Sequence, residues 1–287
     1  MLRLAVMSEA ETAERMADPL ADRGIAVEPL QYKERTLPLD GSWPEGSLDV
    51  GFVYPARLME GGVTDVSLSV PWVNDATAVL TSRNKAGVLA ELGQADVPVP
   101  ETVMVSNPVS ETELEAVFDR FEPPVVVKPN SATRGVGVAR AADLDSFLGV
   151  VDYLDLVHDY RATGDKAFLV QEFLPDATDY RVMVIDGTYV GAVERRLPED
   201  AVATGRWKHN VHRGATARGV DLPVELRELA ERTADVLGID YLGVDLLVTD
   251  DRAVVNETNA RPTIDTADKY EPDFYDRLAT LIETTAP

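Results

Sequence analysis

The sequence predicts a mixed α/β (α+β) protein of two or three compact units, and three observations carry that expectation. Residues 1–78 alternate strand, helix and strand signals, the order of a small open α/β domain. A buried strand, PPVVVKP (123–129), ends in Lys128 and runs into the glycine loop NSATRGVG. Near the C-terminus, GVDLLVTDDRAVVNETNARP (243–262) reads as two strands joined by an Asp250-Asp251 turn.

The elements follow in order. LRLAVM (2–7) has a buried-strand pattern, Glu9 to Arg23 a helical one, and Gly24 supplies the stop. IAVEPL (25–30), DVGFVY (49–54) and PWVN (71–74) are strands, and Pro38, Gly41, Pro44 and Gly46 mark residues 31–47 as loop. A second unit begins near Ala76, with one helix carrying Asn84 and Lys85 and stopping at Gly93. ETVMVS (101–106) is its first strand, and Ser110 with Glu113 has the spacing of a capping box opening a helix to about Phe121. GVAR (137–140) resumes as a strand, Ala141–Val151 reads as helix, and AFLVQEFL (167–174) as a buried strand. In the last unit YRVMVI (180–185) and TYVGAVERR (188–196) flank Asp186-Gly187, a two-residue hairpin signal. Residues 197–219 read as a long polar loop, Pro223–Leu237 as an amphipathic helix ended by Gly238, and a final helix starts near Pro272.

Composition narrows the function. At 287 residues the chain can build a substantial core. The absence of cysteine excludes disulfides, thiolate catalysis and cysteine-ligated metals. No apolar run approaches the roughly 20 residues that span a bilayer, and the N-terminal run is too short for a secretory signal, so a cytoplasmic protein is expected. Fifty acidic and 27 basic residues leave a net charge of −23, which repels nucleic acid and anionic lipid. Such an acidic surface, with lysine only at 33, 85, 128, 166, 208 and 269, suits a salt-rich cytosol where repulsion is screened. A halophilic source is the expectation.

Four constellations carry chemistry. Glu257 and Asn259 are two apart on one strand and share a face, and Asp245 on the hairpin partner can join them. That set offers the hard oxygens Mg²⁺ takes while keeping phosphate oxygens and water. A solvated acidic hairpin has the same pattern, and the residues alone do not separate the two. Lys128 followed by Gly135 and Gly137 can hold nucleotide phosphates, charge from the lysine and N–H groups from the glycine backbone; a plain glycine turn is the alternative. Gln171-Glu172-Phe173-Leu174 ends a buried strand whose main chain can pair with a base, and Asp179 can accept from a ribose hydroxyl, although a simple strand end reads as well. Arg181, Arg195, Arg196, Lys208, Asn210, His212 and Arg213 concentrate cations in a chain that is otherwise strongly acidic, as binding of phosphate or carboxylate requires; counter-ions for nearby acids are the competing account.

These pieces, in this order, resemble the ATP-grasp superfamily, and within it the RimK-type glutamate ligases. The resemblance covers residues 76–287 and rests on NK (84–85), VVVKPNSATRGVGV (125–138), VQEFLPDATDYRVMVIDGTYVGAVERR (170–196), NVHRGATA (210–217) and the acidic hairpin. With the strand–helix–strand order setting apart an N-terminal domain over 1–78, the resemblance implies a central lid over 79–172 and a catalytic domain over 173–287, with ATP between the last two. It implies Lys85 and Lys128 as phosphate contacts, Arg134, Gly135 and Gly137 as the mobile loop, Glu172 and Phe173 beside adenine and Asp179 beside ribose. Asp245, Glu257 and Asn259 become ligands of two Mg²⁺, with Mn²⁺ as substitute. Arg195, Asn210 and Arg213 face the γ-phosphate and the carboxylate substrate. The implied reaction joins a carboxylate acceptor to an amino acid, glutamate or a relative, and the implied assembly is a homodimer or homotetramer. A kinase and a regulatory ATP-binding protein are the other classes such a site serves. The chain departs from the pattern at Arg134 and at Ala260-Arg261-Pro262, where acceptor choice is made.

Overall fold

The computed structural model describes residues 1–8, 10–133, 135–157, 164–209, 211 and 214–287. Three sheets organise it. The first is parallel, in the order β2-β1-β3-β4, from β1 (Leu2–Val6), β2 (Ile25–Pro29), β3 (Val50–Phe52) and β4 (Trp72–Val73). Helix α1 (Ala10–Ala21) covers it with Ala13, Met16 and Leu20, one buried stripe at helical spacing. Helix α2 (Leu58–Leu68) lies between β3 and β4, in a stretch without a clear sequence signal.

Where one helix was expected from Thr81 to Gly93, the chain breaks at Asn84 between two helices: α3 (Ala76–Arg83) and α4 (Lys85–Gln94). Asn84 ends the first and caps the second, its side chain accepting from the Gly87 N–H at 3.2 Å. The break makes Lys85 the first residue of α4. Both helices contribute to the core under the large sheet, through Val79, Val88 and Leu92.

The second sheet is antiparallel, β5-β8-β6-β7, from β5 (Thr102–Ser106), β6 (Val125–Pro129), β7 (Ala139–Ala141) and β8 (Ala167–Glu172). Helices α5 (Glu111–Phe118) and α6 (Leu144–Val157) cover one face, packing Phe118 and Phe147 with centroids 5.4 Å apart. The predicted capping box at Ser110 and Glu113 forms.

The third sheet, β11-β10-β9-β12-β13, is antiparallel: β9 (Thr178–Ile185), β10 (Thr188–Arg196), β11 (Thr216–Val220), β12 (Tyr241–Val248) and β13 (Ala253–Asn259). Asp186 and Gly187 turn β9 into β10 with φ of 47° and 68°, as the two-residue hairpin requires. Residues 197–219 are not a bare loop. They contain α7 (Glu199–Ala203) and β11, an edge strand whose Thr-Ala-Arg-Gly-Val lacks apolar alternation. Helix α8 (Val224–Leu237) buries Ala230, Ala234 and Leu237 against one face of the sheet and ends at Gly238 with φ 58°. Helix α9 (Phe274–Thr285) returns to the first sheet, so Leu4, Val6, Phe52, Met183, Tyr241 and Leu278 share one core. Among the described residues no helix is long and apolar enough to cross a membrane.

Candidate active site

The free face of the five-stranded sheet is the floor of a cleft of about 2240 Å³, several times a pocket for one small ligand. Cross-strand partners point to the same face. One row runs Val193, Arg181, Asp245, Glu257 across β10, β9, β12 and β13. The row beside it pairs Arg195 with Asp179 and Leu247, and on the other side Gly243 pairs with Asn259. Asp245, Glu257 and Asn259 therefore meet as their spacing predicts. Register slips by one residue between Asp245 and Leu246, leaving Asn256 as the extra residue of a bulge. That bulge turns the Asn256 carbonyl and side chain toward Lys128, whose Nζ lies 3.4 and 3.3 Å from their oxygens.

The sheet carrying Lys128 forms the opposite wall. Lys128 is 4% exposed and also donates to Gln171 Oε1 at 3.0 Å. Burial lowers its pKa to about 8, against the pull of the Glu257 carboxylate. Lys85 is 5% exposed, donates to the Ala132 carbonyl at 2.5 Å and lies 3.4 Å from Glu257 Oε1. It thus ties the glycine loop to the acidic strand. Gly135 and Gly137 have φ of 66° and 75°, and a Cβ on Gly137 would stand 2.6 Å from Pro129 Cγ, so glycine is required there by both conformation and space.

Asp245 is held on both oxygens by arginine. Arg181 donates through Nε to Oδ1 and through Nη2 to Oδ2 at 2.8 Å, and Arg195 Nη2 is 3.0 Å from Oδ2. Arg195 also donates to Asp179 Oδ1 from Nε at 2.9 Å and Nη2 at 2.5 Å. Burial raises both carboxyls, but the two guanidinium groups outweigh it at Asp245 and hold its pKa below the ordinary value. At Asp179 burial prevails and pushes the pKa up to about 6. His209 Nδ1 lies 3.8 Å from Asp179, and burial together with the nearby Arg195 charge lowers its pKa.

Most expected side chains line this cleft: Lys85, Lys128, Gly135, Glu172, Phe173, Asp179, Arg195, Asp245, Glu257 and Asn259. Besides Asp245 and Glu257, two more carboxylates are turned to protein partners. The Asp179 carboxylate is taken by Arg195, and the Glu172 carboxylate accepts from the Glu101 N–H at 2.7 Å and from Arg252. Arg196 leaves the cluster, its side chain 73% exposed and paired with Glu194 on the other face. Arg134, Asn210, His212 and Arg213 lie outside the described residues. Sequence reasoning missed Asn256, Arg140 and Trp207. The Trp207 ring meets Phe173 edge-on at 5.8 Å, Arg140 sits 5.2 Å over Phe173, and Lys208 donates to the Val138 carbonyl. A tryptophan amid the polar residues 204–210 was the available signal, since an amphipathic ring in such a segment needs a partner.

A divalent cation fits the acidic row. Its donors are two carboxylates and an amide oxygen, hard ligands that leave positions for phosphate and water. Among the described residues no cage of three or more His, Cys, Asp or Glu forms, so a cation here would need oxygens from its substrate.

Known proteins agree with this architecture. The family model described as a RimK-like ATP-grasp domain matches residues 82–278. A probable alpha-L-glutamate ligase of Enterobacter sp. (strain 638) is 30% identical over 247 residues, 85% of this chain and 76% of its own. A ribosomal protein bS6--L-glutamate ligase of Escherichia coli O139:H28 (strain E24377A / ETEC) is 28% identical, covering 93% of this chain and 85% of that protein. The crystal structure of D-cycloserine synthetase DcsG superposes with a TM-score of 0.74 over 99% of both chains at 18% identity, a likeness of fold. With buried Lys128 on the strand opposite, the glycine loop after it and the acidic hairpin on one cleft, this chain belongs to the RimK-like ATP-grasp family.

Proposed function

We propose that this chain is an ATP- and Mg²⁺-dependent ligase joining a carboxylate acceptor to an amine through an acyl phosphate, with glutamate or a related amino acid as the amine. The observation that supports it is the facing of two buried lysines, Lys85 and Lys128, by the row Arg181, Asp245, Glu257 across one cleft. An acceptor carboxylate oxygen attacks the γ-phosphorus, the bond to the bridging oxygen breaks, and ADP leaves with the electron pair. The amine nitrogen then attacks the acyl carbon, inorganic phosphate departs, and nitrogen loses its proton to form the amide. Asp245, Glu257 and Asn259 would hold the cations, two Mg²⁺ or Mn²⁺, which would supply positive charge to neutralise the triphosphate. Lys85 and Lys128 meet the phosphate charge, and Gly135 and Gly137 give the loop beside Arg134 freedom to close and exclude water. Glu172 and Phe173 flank the base, with Asp179 on the ribose side. Arg195, Asn210 and Arg213 face the γ-phosphate and the acceptor, stabilising developing charge. The division into residues 1–78, 79–172 and 173–287, a cytoplasmic salt-rich setting, and a homodimer or homotetramer complete the proposal.

The test is ADP release across pairs of acids and amines in high salt with Mg²⁺. Release that requires both partners supports ligation. Release with an acid alone would instead make the protein a kinase.

A further inference from the structure

We propose that Arg181 is a resident counter-cation that occupies the Asp245 carboxylate until a divalent ion displaces it. The inference rests on the reading of Asp245 as a metal ligand. Asp245 is 5% exposed, and its two oxygens accept N–H groups from Arg181 and Arg195. A carboxylate offers about four lone-pair positions, and arginine takes three of them here. A divalent cation approaching the same oxygens meets a guanidinium only a few ångströms away, where the low dielectric of a buried site magnifies repulsion. One arginine must therefore leave.

The partners of the two arginines decide which. Arg195 has a second anchor in Asp179, at 2.5 Å, and stays put when Asp245 is withdrawn. Arg181 has Asp245 as its sole side-chain partner among the described residues. Gly243 lets the Arg181 side chain lie close along β12, beside Pro262. A Cβ built there would lie 3.1 Å from Arg181 Cδ and 3.4 Å from Nη1, so the arginine stem lies over a position without a side chain. The same arrangement recurs at Glu257, which is met by Lys85 Nζ at 3.4 Å. The acids of the row are thus charge-compensated from within the chain. A displaced guanidinium, released beside the cleft, becomes a bidentate donor for a substrate carboxylate.

Mn²⁺ binding, followed by electron paramagnetic resonance in the presence of ADP, separates this role from its rival. An arginine that only orients Asp245 would support the metal, and its removal would weaken binding. A competitor has the opposite sign: Arg181→Met should tighten Mn²⁺ binding by about tenfold, the scale of a moderate coupling between ligands. Arg181→Lys, which keeps the charge but loses the fork, should fall between wild type and Arg181→Met. Equal or weaker Mn²⁺ affinity in both variants, with unfolding transitions like the wild type, would overturn the proposal. Asp245→Asn provides the separate control: it should weaken Mn²⁺ binding, and unchanged affinity there would reject Asp245 as a ligand and the displacement with it.

Discussion

At the scale of single residues the site is an arrangement of charges in poor solvent. Glu257 stands beside Lys85 and in register with Asp245, and under the proposed function its charge serves both the cation and the lysine. Glu257→Gln keeps the shape and removes the charge. It should lower kcat by about 10²–10³-fold, the loss typical of a group that stabilises transition-state charge, with an unchanged far-UV circular dichroism spectrum. Near-normal turnover would remove Glu257 from the metal set. Lys128 makes a second, independent prediction. Burial places its pKa at about 8, below the ordinary 10.5. The unfolded chain therefore binds more protons than the folded one between those values, and stability of the unliganded protein rises with pH across that window. Below it, burying the charged lysine costs stability. Relative to Lys128→Met, the wild type should gain roughly 1–3 kcal/mol between pH 7 and the upper end of that window, a unit of pKa being about 1.4 kcal/mol. Urea unfolding at several pH values would show it, and parallel curves for the two proteins would contradict it.

Elements translate sequence into this placement. The glycine loop depends on a conformation that only glycine adopts readily. Gly137→Ala puts a methyl group at φ 75° and 2.6 Å from Pro129 Cγ, beside Lys128. It should cost about 1–3 kcal/mol of stability and raise the KM for ATP, measured by thermal unfolding and initial rates; a variant matching the wild type in both would show that the loop has another conformation. Strands with alternation, tight turns with Asp-Gly and the capping box at Ser110 were legible, because each is decided by neighbours in sequence. The helix break at Asn84 was not, since its cap competes with a good helical pattern on both sides. Helix α2 and strand β11 were not legible either. The Thr-Ala-Arg-Gly-Val of β11 has little intrinsic strand character and is ordered by pairing with β10.

Across the whole molecule, the two antiparallel sheets face one cleft, residues following β1 and β3 reach its rim, and the ends of the chain close on each other through α9 and the first sheet. That the acidic hairpin, both lysines and the glycine loop would line one cleft was expected from the resemblance of these motifs, in their order, to a known family, not from any one of them alone. The arginine lock on Asp245 was not legible, because it depends on the β9 to β12 register, set by residues 64 apart in sequence. Asn256 was hidden for a similar reason: only the bulge turns it toward Lys128. Net charge also acts at this scale. With −23 charges, self-repulsion opposes the compact state. Because added salt shortens the Debye length from about 10 Å at 0.1 M to about 3 Å at 1 M, the unfolding temperature should climb with KCl. Indifference to salt would argue against a halophilic setting.

The most direct measurement is a crystal of the protein grown with Mn²⁺ and a non-hydrolysable ATP analogue, with anomalous scattering used to locate the metal. The account predicts Mn²⁺ bonded by oxygens of Asp245, Glu257 and Asn259, the triphosphate between it and Lys128, and Arg181 withdrawn from Asp245. Anomalous peaks away from that hairpin, with Asp245 still locked to Arg181, would contradict it.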